Sequence, residues 1–186
     1  ARMGVPIGNY SLNANFLMLT LEQYAAEMAR VKKHMETVSD MEIPTIRVDS
    51  AAFARPMSEN TIEKFEEELP LIVRTYEELC DYAKPLGLTV LLENHGFHAN
   101  GSERVRQILT SVRRDNFGHQ LDVGNYTCVD DIPEIAVKKM IGFAKTIHMK
   151  DFYIRPANRN PGDAVEFNCE NSWFRSVNGS YLRGSI

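Results

Sequence analysis

The chain has 186 residues, 44% of them hydrophobic and 25% charged, which is ordinary soluble globular material with enough apolar residues for one sizeable core. Its formal charge of -4 gives no electrostatic footprint for nucleic acid, which usually requires a basic face. No apolar run approaches the roughly 20 residues of a membrane span, and the first residues lack the basic-then-apolar pattern of a signal peptide.

Strand-like and helix-like segments alternate along the chain. Val5–Tyr10 reads as a strand, followed by a polar loop that contains Asn13 and Asn15. Thr20 opens a helix with Gln23 three residues on, the spacing of a capping box. Tyr24, Met28, Val31, Met35 and Val38 then recur at helical intervals and predict one buried face. Thr45–Val48 is the next strand, running into Asp49 and Ser50. A second helix spans about Thr61 to Ala83, with a kink or a fresh start expected at Pro70 and a stop at Pro85 and Gly87. Strand Thr89–Glu93 follows. Asn100-Gly101-Ser102 is expected to cap a third helix. Strand His119–Val123 comes next, and Asp131, with Pro133 and Glu134 behind it, is expected to open a fourth helix. Strand Thr146–Met149 closes the regular region, and an irregular tail begins at about Asp151.

Strands separated by helices in this way describe successive βαβ units, hence an α/β fold with a parallel sheet and right-handed crossovers over a single domain, residues 1–186. The pattern alone allows an open doubly wound sheet as readily as a closed barrel. No glycine-rich phosphate loop follows any strand, which weakens a nucleotide-binding reading. Cys80, Cys128 and Cys169 stand far apart without a paired motif and point to buried thiols in a reducing, cytoplasmic setting, rather than to disulfides or a zinc knuckle.

Three of the predicted strands end in residues able to hold a divalent metal. Glu93 ends Val90-Leu91-Leu92, Asp122 stands between Leu121 and Val123, and His148 lies between Ile147 and Met149. A charge such as that of Asp122 inside a strand buried on both faces calls for a cation or a strong donor nearby. Two carboxylates and one imidazole suit Mn, Mg, Co or Zn without choosing among them. Taken singly, each has a plainer reading: strand-end carboxylates often cap a helix or pair with an arginine, and interior histidines are often satisfied core residues. The coincidence across three strands favours a shared site. His34 and His119 read as structural, whereas His95 and His98 on the loop after Glu93 read as pocket residues.

Leu92-Glu93-Asn94-His95-Gly96, Leu121-Asp122-Val123-Gly124-Asn125 and Ile147-His148-Met149-Lys150-Asp151 together resemble the metal motifs of the xylose-isomerase-like TIM-barrel superfamily. The resemblance runs from the Val5 strand to Lys150. It implies a (β/α)8 TIM barrel, incomplete here, with the middle strands present and the first and closing strands missing. It also implies one divalent metal ion held by Glu93, Asp122 and His148, and a second glutamate on a closing strand that has no equivalent before Ile186. Glu166 and Glu170 in the tail are poor substitutes. The implied activity is isomerisation or epimerisation of a sugar or sugar phosphate through an enediolate, with Glu93 as a catalytic acid/base. His95, Asn125, Lys150 and Arg155 would bind substrate, and Trp173 could wall the sugar. Asn125 stands where many sugar epimerases of the group carry histidine, which leaves room for an inosose-type dehydratase. A non-catalytic barrel relative is the remaining alternative. A three-zinc nuclease is disfavoured, because the Asp-x-His pair is absent: Asp163 is followed by Ala164-Val165. The expected partner is a small sugar or polyol, with no nucleic acid and no membrane, and with room for a homo-oligomer.

Overall fold

The structure, a computed structural model, describes residues 4–51, 55, 59–129, 131–156 and 180–185. Five strands, β1 (Tyr10–Leu12), β2 (Thr45–Val48), β3 (Thr89–Glu93), β4 (Phe117–Asp122) and β5 (Ala144–His148), form one parallel sheet in the order of the sequence. Each step needs a crossover because the strands are parallel. Helices α1 (Leu21–Asp40), α2 (Ile62–Ala83), α3 (Ser102–Ser111) and α4 (Pro133–Met140) supply the four crossovers. A doubly wound sheet reverses its strand order at a switch point. This sheet does not, so of the two architectures open to the sequence it is the arc of a barrel.

The pairing register sorts the strand residues onto two faces. Tyr10, Leu12, Ile46, Val48, Val90, Leu92, Phe117 and Leu121 share one face and join the apolar core beneath the helices. Arg47, Leu91, Glu93, Gln120, Asp122, Thr146 and His148 share the other. Side chains alternate with period two, so the parity of a residue decides whether it meets the helices or the barrel interior. Val31, Met35, Val38, Phe65, Leu79, Val105 and Ile108 project from α1, α2 and α3 into the core and are fully shielded from solvent. Tyr76, also buried, ties α2 to the sheet by donating its hydroxyl to the Val48 carbonyl at 2.8 Å.

The Thr20–Gln23 capping box forms as the sequence predicts, with both reciprocal bonds present. Several expectations shift. The first strand is not Val5–Tyr10 but Tyr10–Leu12, and Val5 and Ile7 are exposed. Helix α2 continues through Pro70 without a fresh start. Pro70 lies on the solvent side, where water can satisfy the carbonyl that its missing N–H leaves unpaired. Asp131 does not cap α4, whose N-cap Ile132 has no side-chain bond; its carboxylate accepts from the Ser102 amide at 2.7 Å and so caps α3. The N-cap of α3 is Gly101, within the expected Asn100–Ser102 segment; it brings no side-chain cap, and Asn100 Oδ1 accepts its amide at 2.7 Å. The tail expected to be irregular from Asp151 instead contains β6 (Asp151–Pro156) paired antiparallel with β7 (Ser180–Ser185).

Candidate metal centre at the strand ends

Glu93, Asp122 and His148 are the last residues of β3, β4 and β5. They lie on the interior face, and one ligand atom from each falls within 4.8 Å of the others. Glu93 and Asp122 are buried, while the His148 side chain is 46% exposed because β5 is the outermost strand of the sheet.

Each carboxylate has one oxygen committed to the protein. Asp122 Oδ1 accepts the amides of Gly124 and Asn125, both at 2.9 Å, so Oδ2 is the oxygen left for a cation. Its backbone amide donates to Asn94 Oδ1, and Asn94 Nδ2 donates back to the Asp122 carbonyl, both at 2.8 Å. That reciprocal pair locks the end of β4 to the residue after β3. Glu93 Oε2 accepts from Arg47 Nε at 2.6 Å and pairs with Arg47 Nη2. Glu93 Oε1 lies 3.1 Å from His148 Nδ1.

His148 Nδ1 also lies 3.3 Å from Gln120 Nε2. An amide nitrogen can only donate, so Nδ1 either donates its proton to Glu93 Oε1 or accepts from Gln120 with its single lone pair, and a metal would take that lone pair in place of either bond. Two lone-pair donors about 3 Å apart are what adjacent ligands of an ion with metal–ligand bonds near 2.1 Å require. The donor set therefore fits a divalent metal. Gln120 is itself fixed, its Oε1 accepting from Asn9 Nδ2 at 2.7 Å, while Asn9 Oδ1 accepts from Thr45 at 2.7 Å.

Burial pushes both carboxylates toward protonation, with opposite results. At Glu93 the Arg47 guanidinium, with His95 and His148, overrides burial and holds the carboxyl below its ordinary range. At Asp122 burial prevails over the Asn125 amide and the Lys150 ammonium, and the carboxyl stays above its ordinary range. A nearby divalent cation would reverse that shift.

Lys150 Nζ donates to Asn125 Oδ1 at 2.8 Å, so two of the residues expected to bind substrate meet beside Asp122. Gly124 allows this approach: a Cβ there would stand 2.7 Å from the Lys150 carbonyl oxygen. His95 joins a second group on the same rim, with its Nδ1 3.3 Å from Asp49 Oδ2 and 3.2 Å from Arg47 Nη2. The side chain of Arg155, on β6, and the whole of Glu166, Cys169, Glu170 and Trp173 lie outside the described residues. His98 does not join the site. It is buried with Glu68, Asn60 and Phe65 on the α2 side. His119 has the wrong parity: it faces the helices, where Nδ1–H donates to the Leu92 carbonyl at 2.9 Å.

Arg47, Asp49, Asn94 and Gln120 were not singled out by the sequence reading. A signal existed for two of them. Asp49 follows a strand end just as Glu93 ends one, and Arg47 precedes it by two and so shares its face.

The profile of the xylose isomerase-like TIM barrel matches residues 2–178. The chain belongs to that family. No curated protein matches it in sequence. Among solved structures it is similar to a xylose isomerase domain protein from Planctomyces limnophilus, at 25% identity over 71% of this chain and 43% of that one, TM-score 0.54. It is likewise similar to the IOLI protein solved with a zinc atom, at 25% identity over 78% and 52%, TM-score 0.62. A xylose isomerase-like TIM-barrel protein from Mycobacterium smegmatis, solved with magnesium, covers 99% of the chain and 58% of its own length at 14% identity, TM-score 0.69. Two sugar epimerases, a D-tagatose 3-epimerase-like protein and a probable 3-DHS dehydratase are among the other structures that share the fold. The chain thus spans 43–58% of the length of the three structures compared. Among the described residues no helix is long and apolar enough to cross a membrane.

Proposed function

We propose that this chain carries most of the metal site of an isomerase or epimerase that acts on a sugar or sugar phosphate. One observation carries the reading: Glu93, Asp122 and His148, ending three successive strands, bring their donor atoms within 4.8 Å of one another on the barrel's interior face. When bound, a divalent ion (Mn, Mg, Co or Zn) would polarise the carbonyl of a keto sugar and acidify the adjacent C–H.

The chain's own residues do the rest. Glu93 is the acid/base that moves the proton at that carbon. Arg47 keeps it ionised, and so also a weak base, which makes the acidification of the C–H indispensable. Asp122 and His148 would hold the ion, with Asn94 fixing the strand end that carries Asp122. Lys150 and Asn125 offer a donor pair to substrate hydroxyls or to an anionic group, and His95 lines the opposite side. Arg155 is assigned to the same role from the sequence resemblance alone. The buried free thiol of Cys80 suits a reducing, cytoplasmic location.

An inosose-type dehydratase is the second reading, favoured by Asn125. An amide there, engaged by Lys150, cannot serve as the general acid that an imidazole could be. Metal analysis of the purified protein checks the first claim: about one ion per chain is expected, lost in Glu93→Gln and in Asp122→Asn. Retention of the ion in both variants would overturn the assignment. A panel of keto sugars and inososes then separates the chemistries, with exchange of the C–H proton for solvent deuterium common to both and loss of water specific to a dehydratase.

A further inference from the structure

Asp49, Glu93 and His95 form a second group with the spacing of a metal site, and it shares Glu93 with the first. A positively charged group already stands in its midst. Arg47 Nη1 donates to Asp49 Oδ2 at 2.9 Å, Nε donates to Glu93 Oε2 at 2.6 Å, and Nη2 lies 3.2 Å from His95 Nδ1. Nη1 also reaches Asn13 Oδ1 at 3.2 Å. Arg47 is 5% exposed and emerges from a strand whose neighbouring residues, Ile46 and Val48, are packed in the core. The guanidinium therefore has little freedom to leave.

Two buried carboxylates side by side are costly unless a cation compensates them. A guanidinium does so permanently, because it does not deprotonate in proteins. A metal ion bound to this group would sit about 2.0–2.3 Å from the same donor atoms, in the volume the guanidinium fills. The geometry points to Arg47 as a built-in cation that fills the Asp49–Glu93–His95 group, restricts the centre to a single metal ion and leaves Glu93 to bind that ion through Oε1 alone. This inference rests on the reading of Glu93, Asp122 and His148 as the metal site. It makes Arg47 a positioning residue and assigns Asp49 and His95 to its support.

Metal stoichiometry tests it without recourse to activity. The protein is loaded with Mn2+, the bound metal is counted after dialysis, and its electron paramagnetic resonance spectrum is recorded. Wild type is expected to hold one ion per chain with the spectrum of an isolated Mn2+. Arg47→Ala is expected to hold two, with the exchange-coupled spectrum of ions that share a carboxylate at about 3.5–4 Å. Arg47→Lys, which retains a positive charge, is expected to stay at one. A single uncoupled ion in Arg47→Ala, bound as tightly as in wild type, would overturn the inference. Should Arg47→Ala fail to fold, Asp49→Asn decides: one ion per chain supports the proposal, and loss of that ion overturns it by making Asp49 a ligand. Were wild type to bind no metal while Arg47→Ala bound one, the role of Arg47 would stand and the Glu93–Asp122–His148 reading would fall.

Discussion

His119 and His148 show how one residue type takes different chemistry from the face it occupies. His148 shares the interior face with Glu93 and Asp122, whereas His119, three residues before Asp122, is turned toward the helices and fully buried. Burial lowers its pKa to about 4, against the bond to the Leu92 carbonyl, which pulls it up. The consequence for stability has a definite sign. The unfolded chain takes up a proton near pH 6.5 and the folded chain only near 4, so stability is complete above pH 6.5 and falls between 6.5 and 4. At pH 5 the loss from this group is about 2 kcal/mol. Urea denaturation at pH 7.5 and pH 5 should show that drop in wild type. The drop should shrink in His119→Asn, which keeps a donor for the Leu92 carbonyl but cannot titrate. Equal drops in the two proteins would assign the pH dependence to other groups.

The caps of α1 and α3 separate what local sequence can reveal from what it cannot. The α1 box is built by residues three apart, and its apolar stripe repeats on the helix's own period, so both were legible in the chain. The α3 cap comes from Asp131, 29 residues away and just ahead of a different helix, where Asp-x-Pro-Glu imitates a local N-terminus. Asp131→Ala should therefore cost about 1 kcal/mol, the usual worth of a cap. Hydrogen exchange should show the loss as faster exchange in the first turn of α3 rather than of α4. Strand ends were legible for the same reason as α1. Runs such as Val90-Leu91-Leu92 announce burial, and period two then places Glu93, while the pairing of Asp122 with His148 completes the face. Arg47 was legible only as a charge on the face of Asp49, and its role was not. A charge inside a four-residue strand finds its meaning only in carboxylates and an imidazole contributed by Asp49, Glu93 and His95. Strand β1 was misplaced because Val5 and Ile7 are apolar yet exposed, and periodicity cannot tell an exposed apolar residue from a buried one.

At the scale of the molecule, the sheet has two rims, β1 and β5, with no further strand paired to either among the described residues. On β5 and just beyond it, Ile147 is 49% and Met149 85% exposed, a combination of apolar side chains and unpaired backbone groups that favours self-association. Ile147→Lys with Met149→Lys should reduce the aggregated fraction in light scattering at high protein concentration, with the unfolding midpoint unchanged within a few degrees. Persistence of the same aggregation would acquit this rim. Parallel strands bring their carboxyl ends to one level, so any newcomer zipped alongside β5 would finish level with His148. Whatever side chain it carried there would hang over the same small space as Glu93 and Asp122, and the half-uncovered imidazole would gain a roof. A polypeptide docking at this margin would thus wall the Glu93–Asp122–His148 group off from solvent in a single event.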